Sequence, residues 1–440
     1  MFDCLEAADG RERCHVDESA IRTQLNDAGY ALVQVEPRLQ GLGSTIRPDV
    51  LAWAADNDGV LVPWAVVEVK HRQVAGHSAA LRQLATIRDQ LGTVDHYVVI
   101  DGEWFRADRG LRTATPISGP VSPANGADGV LQDVSLATSL IQERLWNAAN
   151  RRRHDGQRLD SLELFADLLP GSLSGELVAR SGHTVRADRD VLWRAGRRAL
   201  TAFTSQDKNT DLFVSHPAIA RAVAELAGDA ISGTVLDPFC GTGEFLWAAA
   251  DRAVAASRSV ELVGVDFSSQ MIEIASSLAS AAPVPARAIQ GNAYSELPTD
   301  VDLVLSSPPL GLRLPTQHEL LNGTSTKDGD LASIDVAIRS LRSGGRAVLQ
   351  ISPGVTFRAN GEAYRQFLAE NVRVAALIGC PRGTVPGTGT GSVLLVIDKL
   401  PPTKTFVSQL GEDWEDQLSS GGAAITAAVA HLDDKTAKAT

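Results

Sequence analysis

The residues best suited to chemistry lie in the stretch 234–246, TVLDPFCGTGEFL. A β-rich run (Val235, Leu236) ends in Asp237-Pro238, a glycine turn (Gly241, Thr242, Gly243) follows, and a helical segment begins at Phe245. Strand, glycine turn and helix N-terminus in this order make a cradle for a nucleotide cofactor, because backbone N–H groups converge on the ligand. Glycine lets the backbone approach where a Cβ would clash. The next extended run, 261–266 (ELVGVD), ends in Asp266, 23 positions past Gly243. That spacing puts a carboxylate against the hydroxyls of a cofactor ribose. A third run, 288–292 (AIQGN), carries Asn292, which can hydrogen-bond an adenine edge.

A second constellation lies near the N-terminus: Glu18, Asp49, Glu68-Val69-Lys70 and Gln83. In Glu-x-Lys on a strand, residues 68 and 70 share a face, because the strand period is 2. An aspartate from a neighbouring strand reaches the same face. Two carboxylates there can hold Mg²⁺ with a lysine beside them, the parts that phosphodiester hydrolysis needs. The alternative is a surface ion pair. Helix glutamate, Arg47-Pro48-Asp49, Glu-x-Lys and a glutamine on the next helix resemble the PD-(D/E)xK nuclease fold, particularly the N-terminal nuclease domain of type I restriction subunits. The resemblance covers about 90 residues and implies Glu18, Asp49 and Glu68 as metal ligands, with Asp49, Glu68 and Lys70 catalytic.

The elements that must position the first set alternate. Extended runs at 235–236, 261–266, 288–292, 302–305, 346–351, 373–378 and 392–398 are interleaved with helical segments from 218, 245, 330 and 362. Alternating β and α units predict a wound, largely parallel sheet. The run 302–305 ends in Ser306-Ser307-Pro308-Pro309-Leu310, and later come LRSGGRAVLQISPGVTF, YRQFLAEN and ALIGCPRGTVPGTGTGSVLLVIDK. With Asp237-Pro238-Phe239-Cys240-Gly241-Thr242-Gly243 and Asp266, these phrases resemble the N-6 adenine DNA methylases, most closely the methylation subunits of type I restriction–modification systems. The likeness spans roughly residues 210–400. It implies S-adenosylmethionine as cofactor. Asp237, Gly241 and Gly243 would lie at its methionine end, Asp266 at the ribose and Asn292 at the adenine, with Phe239 a further cofactor-binding residue.

Ser307, Pro308 and Pro309 would then be catalytic. The amine of adenine or cytosine is a poor nucleophile, since its lone pair is conjugated with the ring. Acceptors on residue 307 and the Pro308 carbonyl can hold its N–H groups and aim the lone pair at the methyl group, while the prolines stiffen the loop. Two departures stand out. The family carries an aromatic residue after the prolines where this chain has Leu310; a ring there stacks on the extruded base and is worth about 1–3 kcal/mol. The family's Asn or Asp is Ser307 here, so adenine N6 and cytosine N4 both stay open.

The expected fold class is α/β, with an α/β nuclease-like domain (1–106), a linker (107–129), a small helical domain (130–212), a Rossmann-like methyltransferase domain (213–400) and a C-terminal tail (401–440). The net charge of −12 does not mark a nucleic-acid binder. Residues 130–210 are locally basic, 12 Lys/Arg against 10 acids, and the run Arg151, Arg152, Arg153, His154 reads either as a solvated helix end or as a phosphate-contacting patch. Four scattered cysteines argue for a reducing interior and against structural zinc. No leader or membrane span is expected, so the chain reads as cytoplasmic. The expected function is an S-adenosylmethionine-dependent DNA amino-methyltransferase, adenine N6 first, fused to a restriction-endonuclease-like domain. Its expected partners are DNA and a separate specificity subunit, in a homo- or hetero-oligomer. The alternative is an impaired methylase fold serving as a cofactor- or DNA-binding scaffold, with any activity in the nuclease-like domain.

Overall fold

A computed structural model describes residues 18–37, 47–70, 77–156, 160–179, 182–206, 214–295, 297–385 and 389–433. The chain divides into two compact units, Met1–Leu140 with Gly175–Val191, and Ile141–Ser174 with Leu192–Thr440.

The first unit begins with α1 (Glu18–Asp27), β1 (Leu32–Val35), β2 (Val50–Ala55), β3 (Leu61–Lys70), α2 (His77–Leu91), β4 (Asp95–Ile100), β5 (Glu103–Ala107) and β6 (Ala114–Ile117). The six strands pair in chain order. Only β3 and β4 run parallel, since α2 is the crossover that a parallel pair requires. Apolar side chains of α1 (Ile21, Leu25) and of the sheet (Val50, Ala52, Val67, Tyr97, Val99) form one core. Residues 107–129, expected to be a linker, instead carry β6 and return to the sheet. The Tyr30 hydroxyl donates to the Val121 carbonyl at 3.1 Å, and the Val121 N–H donates to the Tyr97 hydroxyl at 3.1 Å. Their Gly, Pro and Ser content hides this pairing, because the contacts are made by backbone and not by an apolar pattern.

Next come β7 (Val130–Leu131), α3 (Val134–His154), α4 (Ser161–Ser172), β8 (Glu176–Val178), β9 (Thr184–Ala187) and α5 (Arg189–Gln206). Asp160 caps α4, its Oδ1 accepting from the Glu163 N–H at 3.0 Å. The region 130–212, expected to be helical, therefore also holds a small sheet, β7-β9-β8. Its division falls inside α3 and α5 and not at 130 and 212. Arg152 pairs with Asp167 at 2.5 Å and Glu163 at 3.6 Å. Arg197 pairs with Asp251 at 2.9 Å and lies 4.6 Å over the Trp193 ring. Both arginines are thus engaged in packing.

The second unit continues with α6 (Pro217–Ala227), β10 (Gly233–Asp237), α7 (Glu244–Ala255), β11 (Val260–Asp266), α8 (Ser269–Ala281), β12 (Ala286–Gln290), β13 (Val301–Ser306), β14 (Arg313–Glu319), β15 (Ser325–Asp328), α9 (Gly329–Ser340), β16 (Leu341–Ile351), α10 (Glu362–Asn371), β17 (Arg373–Cys380), β18 (Ser392–Asp398), β19 (Phe406–Gln409), α11 (Trp414–Gln417) and α12 (Ala423–Asp433). The main sheet has the order β12-β11-β10-β13-β16-β18-β17-β19. Only β18 runs against the others. The central strands are continuous apolar runs because helices cover both faces. Among the described residues the β14–β15 hairpin pairs only with itself. The region from 401, expected to be a C-terminal tail, adds β19 beside β17 and buries Ile425, Ala428 and Leu432 of α12. Among the described residues no helix is long and apolar enough to cross a membrane.

Candidate active site

The strand order fixes where a ligand can sit. The chain steps outward from β10 to β11 to β12 and then returns to β13 on the other side of β10. This reversal opens a crevice at the strands' carboxyl ends, between β10 and β13. Asp237 ends β10 and Ser306 ends β13. The buried Asp237 Oδ1 accepts from the Ser306 hydroxyl at 2.5 Å and from the Phe239 N–H at 3.0 Å. Burial, reinforced by the nearby Asp266 charge, pushes the Asp237 carboxyl up to about 7 against the pull of those donors.

Gly241 and Gly243 both adopt left-handed backbone, with φ of +51° and +94°. A Cβ on Gly243 would lie 2.5 Å from the Trp247 indole, whose Nε1 donates to the Thr242 carbonyl at 2.7 Å. A Cβ on Gly241 would meet nothing within 4 Å, so the cradle is open there. Asp266 braces the turn: its Oδ2 accepts from the Gly241 N–H and its Oδ1 from the Ser268 N–H, both at 2.9 Å. Each oxygen keeps a second lone pair for a ligand hydroxyl. Asn292 begins a turn, its Oδ1 accepting from the Tyr294 N–H at 3.0 Å. Buried Cys240 fills the space over Gly264, where a Cβ would lie 2.8 Å from its sulfur.

One cavity of about 750 Å³ joins the cradle, Asp266 and Asn292 to Ser307, Pro308, Pro309 and Leu310. Its size lies within the range of small-molecule sites, roughly 300–1,000 Å³. The residues fit a cationic nucleoside such as S-adenosylmethionine. Carboxylates of Asp237, Glu244 and Asp266 line the cavity, and buried Glu244 Oε1 has no hydrogen-bond partner among the described residues. Sequence reasoning missed Glu244, Phe267, Tyr294 and Gln350, all of which line this cavity. Phe267 is 79% exposed although it directly follows Asp266, and that adjacency was the available signal. The signal for Gln350 was one amide in the apolar run of β16. It receives the Ser307 hydroxyl at 3.1 Å. The loop after the prolines is held by buried Asp330, whose carboxylate oxygens lie 3.3 and 3.4 Å from the Gly311 nitrogen.

In the first unit the fold brings Asp49, Glu68 and Lys70 together. Lys70 Nζ lies 2.8 Å from Glu68 Oε2 and 3.3 Å from Asp49 Oδ2, and the Val69 N–H donates to Asp49 Oδ2 at 2.7 Å. Glu68 is wholly buried and its Oε1 has no partner among the described residues. Burial, then the Asp49 charge, pushes its carboxyl up to about 7. Gln83 lies on α2, the helix after Glu-x-Lys, and its Nε2 donates to the Arg47 carbonyl at 3.3 Å. The Glu18 side chain lies outside the described residues. Among the described residues no group of three or more His, Cys, Asp or Glu is placed to hold a metal ion; of the three expected Mg²⁺ ligands, Asp49 and Glu68 lie side by side among them.

A doubly wound sheet with a glycine cradle after its first strand and a Ser-Pro-Pro loop after its fourth gives the second unit the mixed α/β fold of S-adenosylmethionine-dependent methyltransferases. Residues 214–374 match the family described as UPF0020: RMKL-like, methyltransferase domain. Among solved structures, the chain is similar to a Listeria monocytogenes protein assigned to the class I S-adenosylmethionine-dependent methyltransferases. That match has 16% identity and a TM-score of 0.53, over 68% of this chain and 99% of that one. It is also similar to a type I restriction–modification methyltransferase subunit from Streptococcus thermophilus, at 18% identity and a TM-score of 0.45, over 50% of this chain and 52% of that one. A third is a modification subunit assigned to a type I restriction enzyme of Vibrio vulnificus YJ016, at 16% identity and a TM-score of 0.43, over 63% of this chain and 78% of that one. The likeness to the Listeria monocytogenes protein, at 16% identity, is one of fold.

Proposed function

We propose that this protein is an S-adenosylmethionine-dependent DNA amino-methyltransferase acting in restriction–modification or phage defence, with adenine N6 as its first target and cytosine N4 as the second. The observation that carries this reading is the single cavity running from the glycine cradle to Ser307-Pro308-Pro309. Asp237, Gly241 and Gly243 would hold the methionine end of the cofactor, Asp266 the ribose and Asn292 the adenine, with Phe239 also lining the cofactor's cavity. When bound, S-adenosylmethionine supplies an activated methyl group. Ser307 Oγ and the Pro308 carbonyl hold the N–H groups of the target amine, and the prolines keep both acceptors aimed. A separate specificity subunit supplies sequence recognition, consistent with the acidic net charge of −12. The test is calorimetric titration with S-adenosylmethionine, followed by transfer of tritium label to mixed DNA. Binding with transfer is expected, and absence of cofactor binding would sink the reading.

The Asp49–Glu68–Lys70 cluster supports a second role as a Mg²⁺-dependent endonuclease. The unpartnered Glu68 Oε1 beside Asp49 is what a divalent cation would satisfy, and such an ion would activate water. Lys70 would steady the charge that develops at the phosphate. The competing reading, a methylase fold kept as a cofactor-binding scaffold, rests on Leu310, which lines the cavity where the family has a ring.

A further inference from the structure

Serine at position 307 poses a chemical problem. A carboxylate there presents acceptors only, whereas a serine hydroxyl can rotate and donate. The structure removes that freedom through a directed network behind the loop. The Thr384 hydroxyl donates to the Pro381 carbonyl at 3.0 Å. Its one proton is thereby spent, so in its 3.0 Å contact with Ser392 Oγ it accepts. Ser392 therefore donates to Thr384 and accepts from Gln350 Nε2 at 3.0 Å. The second Gln350 N–H donates to the Thr384 carbonyl at 3.3 Å. A main-chain carbonyl only accepts, so the Gln350 amide has one allowed orientation, with Oε1 turned to Ser307 at 3.1 Å. Gln350, Thr384 and Ser392 are all buried.

We infer that Gln350 is a positioning residue that commits the Ser307 proton, leaving Ser307 Oγ as a pure acceptor and making the site selective for a base with an exocyclic amine over one with a keto oxygen. The inference rests on the proposed DNA reading and deepens it. A keto base would face two acceptors, Ser307 Oγ and the Pro308 carbonyl. Turning the serine proton towards it would strand Gln350 Oε1 in the interior.

The experiment titrates protein loaded with S-adenosylhomocysteine with short single-stranded DNAs that differ only in adenine against hypoxanthine, and in cytosine against uracil. The wild type should favour the amine-bearing strand of at least one pair by roughly 5- to 150-fold, the ratio set by one unpaired buried acceptor. Gln350→Leu should bring that ratio to within about threefold. A positioning role moves the ratio, whereas a merely structural role weakens both strands alike. Exchange of the Gln350 side-chain amide protons, followed in ¹⁵N-glutamine-labelled wild type, tests the orientation without any variant: both should be protected, and fast exchange overturns the inference. Equal wild-type binding within both pairs overturns the inference alone. Binding of no strand at all overturns the DNA reading and the inference with it.

Discussion

Ser306 and Asp237 stand on neighbouring parallel strands, and the Ser306 hydroxyl donates to Asp237 Oδ1 at 2.5 Å inside the crevice. The bond ties the residue before the Ser307-Pro308-Pro309 loop to the acid that opens the glycine cradle. Both halves of the site are thus referenced to one buried point.

The same carboxylate predicts a pH dependence. Asp237 in the folded protein sits near 7 because burial penalises its charge, whereas in the unfolded chain it sits near about 3.9. The folded state therefore holds the extra proton between those values, and this group's contribution to stability falls as pH rises through that window. A cationic cofactor favours the ionised form. Affinity for S-adenosylmethionine should accordingly rise between pH 6 and 8, and Asp237→Asn should weaken binding and flatten the pH response. Calorimetry across that range checks both.

The two cradle glycines should respond differently to alanine. Gly243→Ala places a Cβ against the Trp247 indole at φ +94° and should cost about 2–4 kcal/mol of stability. Gly241→Ala has only the backbone strain at φ +51° and should cost about 1–2 kcal/mol. Its Cβ nevertheless enters the open cradle, so cofactor affinity should fall by more than about tenfold. Thermal denaturation paired with calorimetry separates the two effects, and identical responses would contradict the geometry.

At position 310 a ring should restore base stacking. Leu310→Tyr is expected to tighten single-stranded DNA binding by about tenfold, a figure within the roughly 1–3 kcal/mol of one stacked base. A gain in methyl transfer together with binding would remove the scaffold reading.

In the first unit, Lys70→Ala or Asp49→Ala should abolish Mg²⁺-dependent cleavage of DNA. Added Mg²⁺ should raise the thermal stability of the wild type but not of Glu68→Gln, since only the carboxylate offers an anionic Oε1. Wild-type cutting by both the Lys70 and Asp49 variants, measured on supercoiled plasmid, would end the nuclease proposal.

Much of the site is legible from residues alone because its physics is local. A glycine turn after Val235-Leu236, an acid at the end of a β-branched run and two consecutive prolines each constrain only their own few residues, so the order of strands and helices around Asp237, Asp266 and Ser307 follows from the chain. Glu-x-Lys likewise puts Glu68 and Lys70 on one face by the strand period. The tertiary structure decided what depends on register across strands. Gln350 meets Ser307 only because β16 pairs in parallel with β13, matching Leu349 to Ser306. Nothing in the run AVLQISP says which neighbour that amide faces. Residues 114–117 and 406–409 became sheet edges for the same reason: their pairing comes from backbone groups of distant strands, and backbone groups are alike in every sequence.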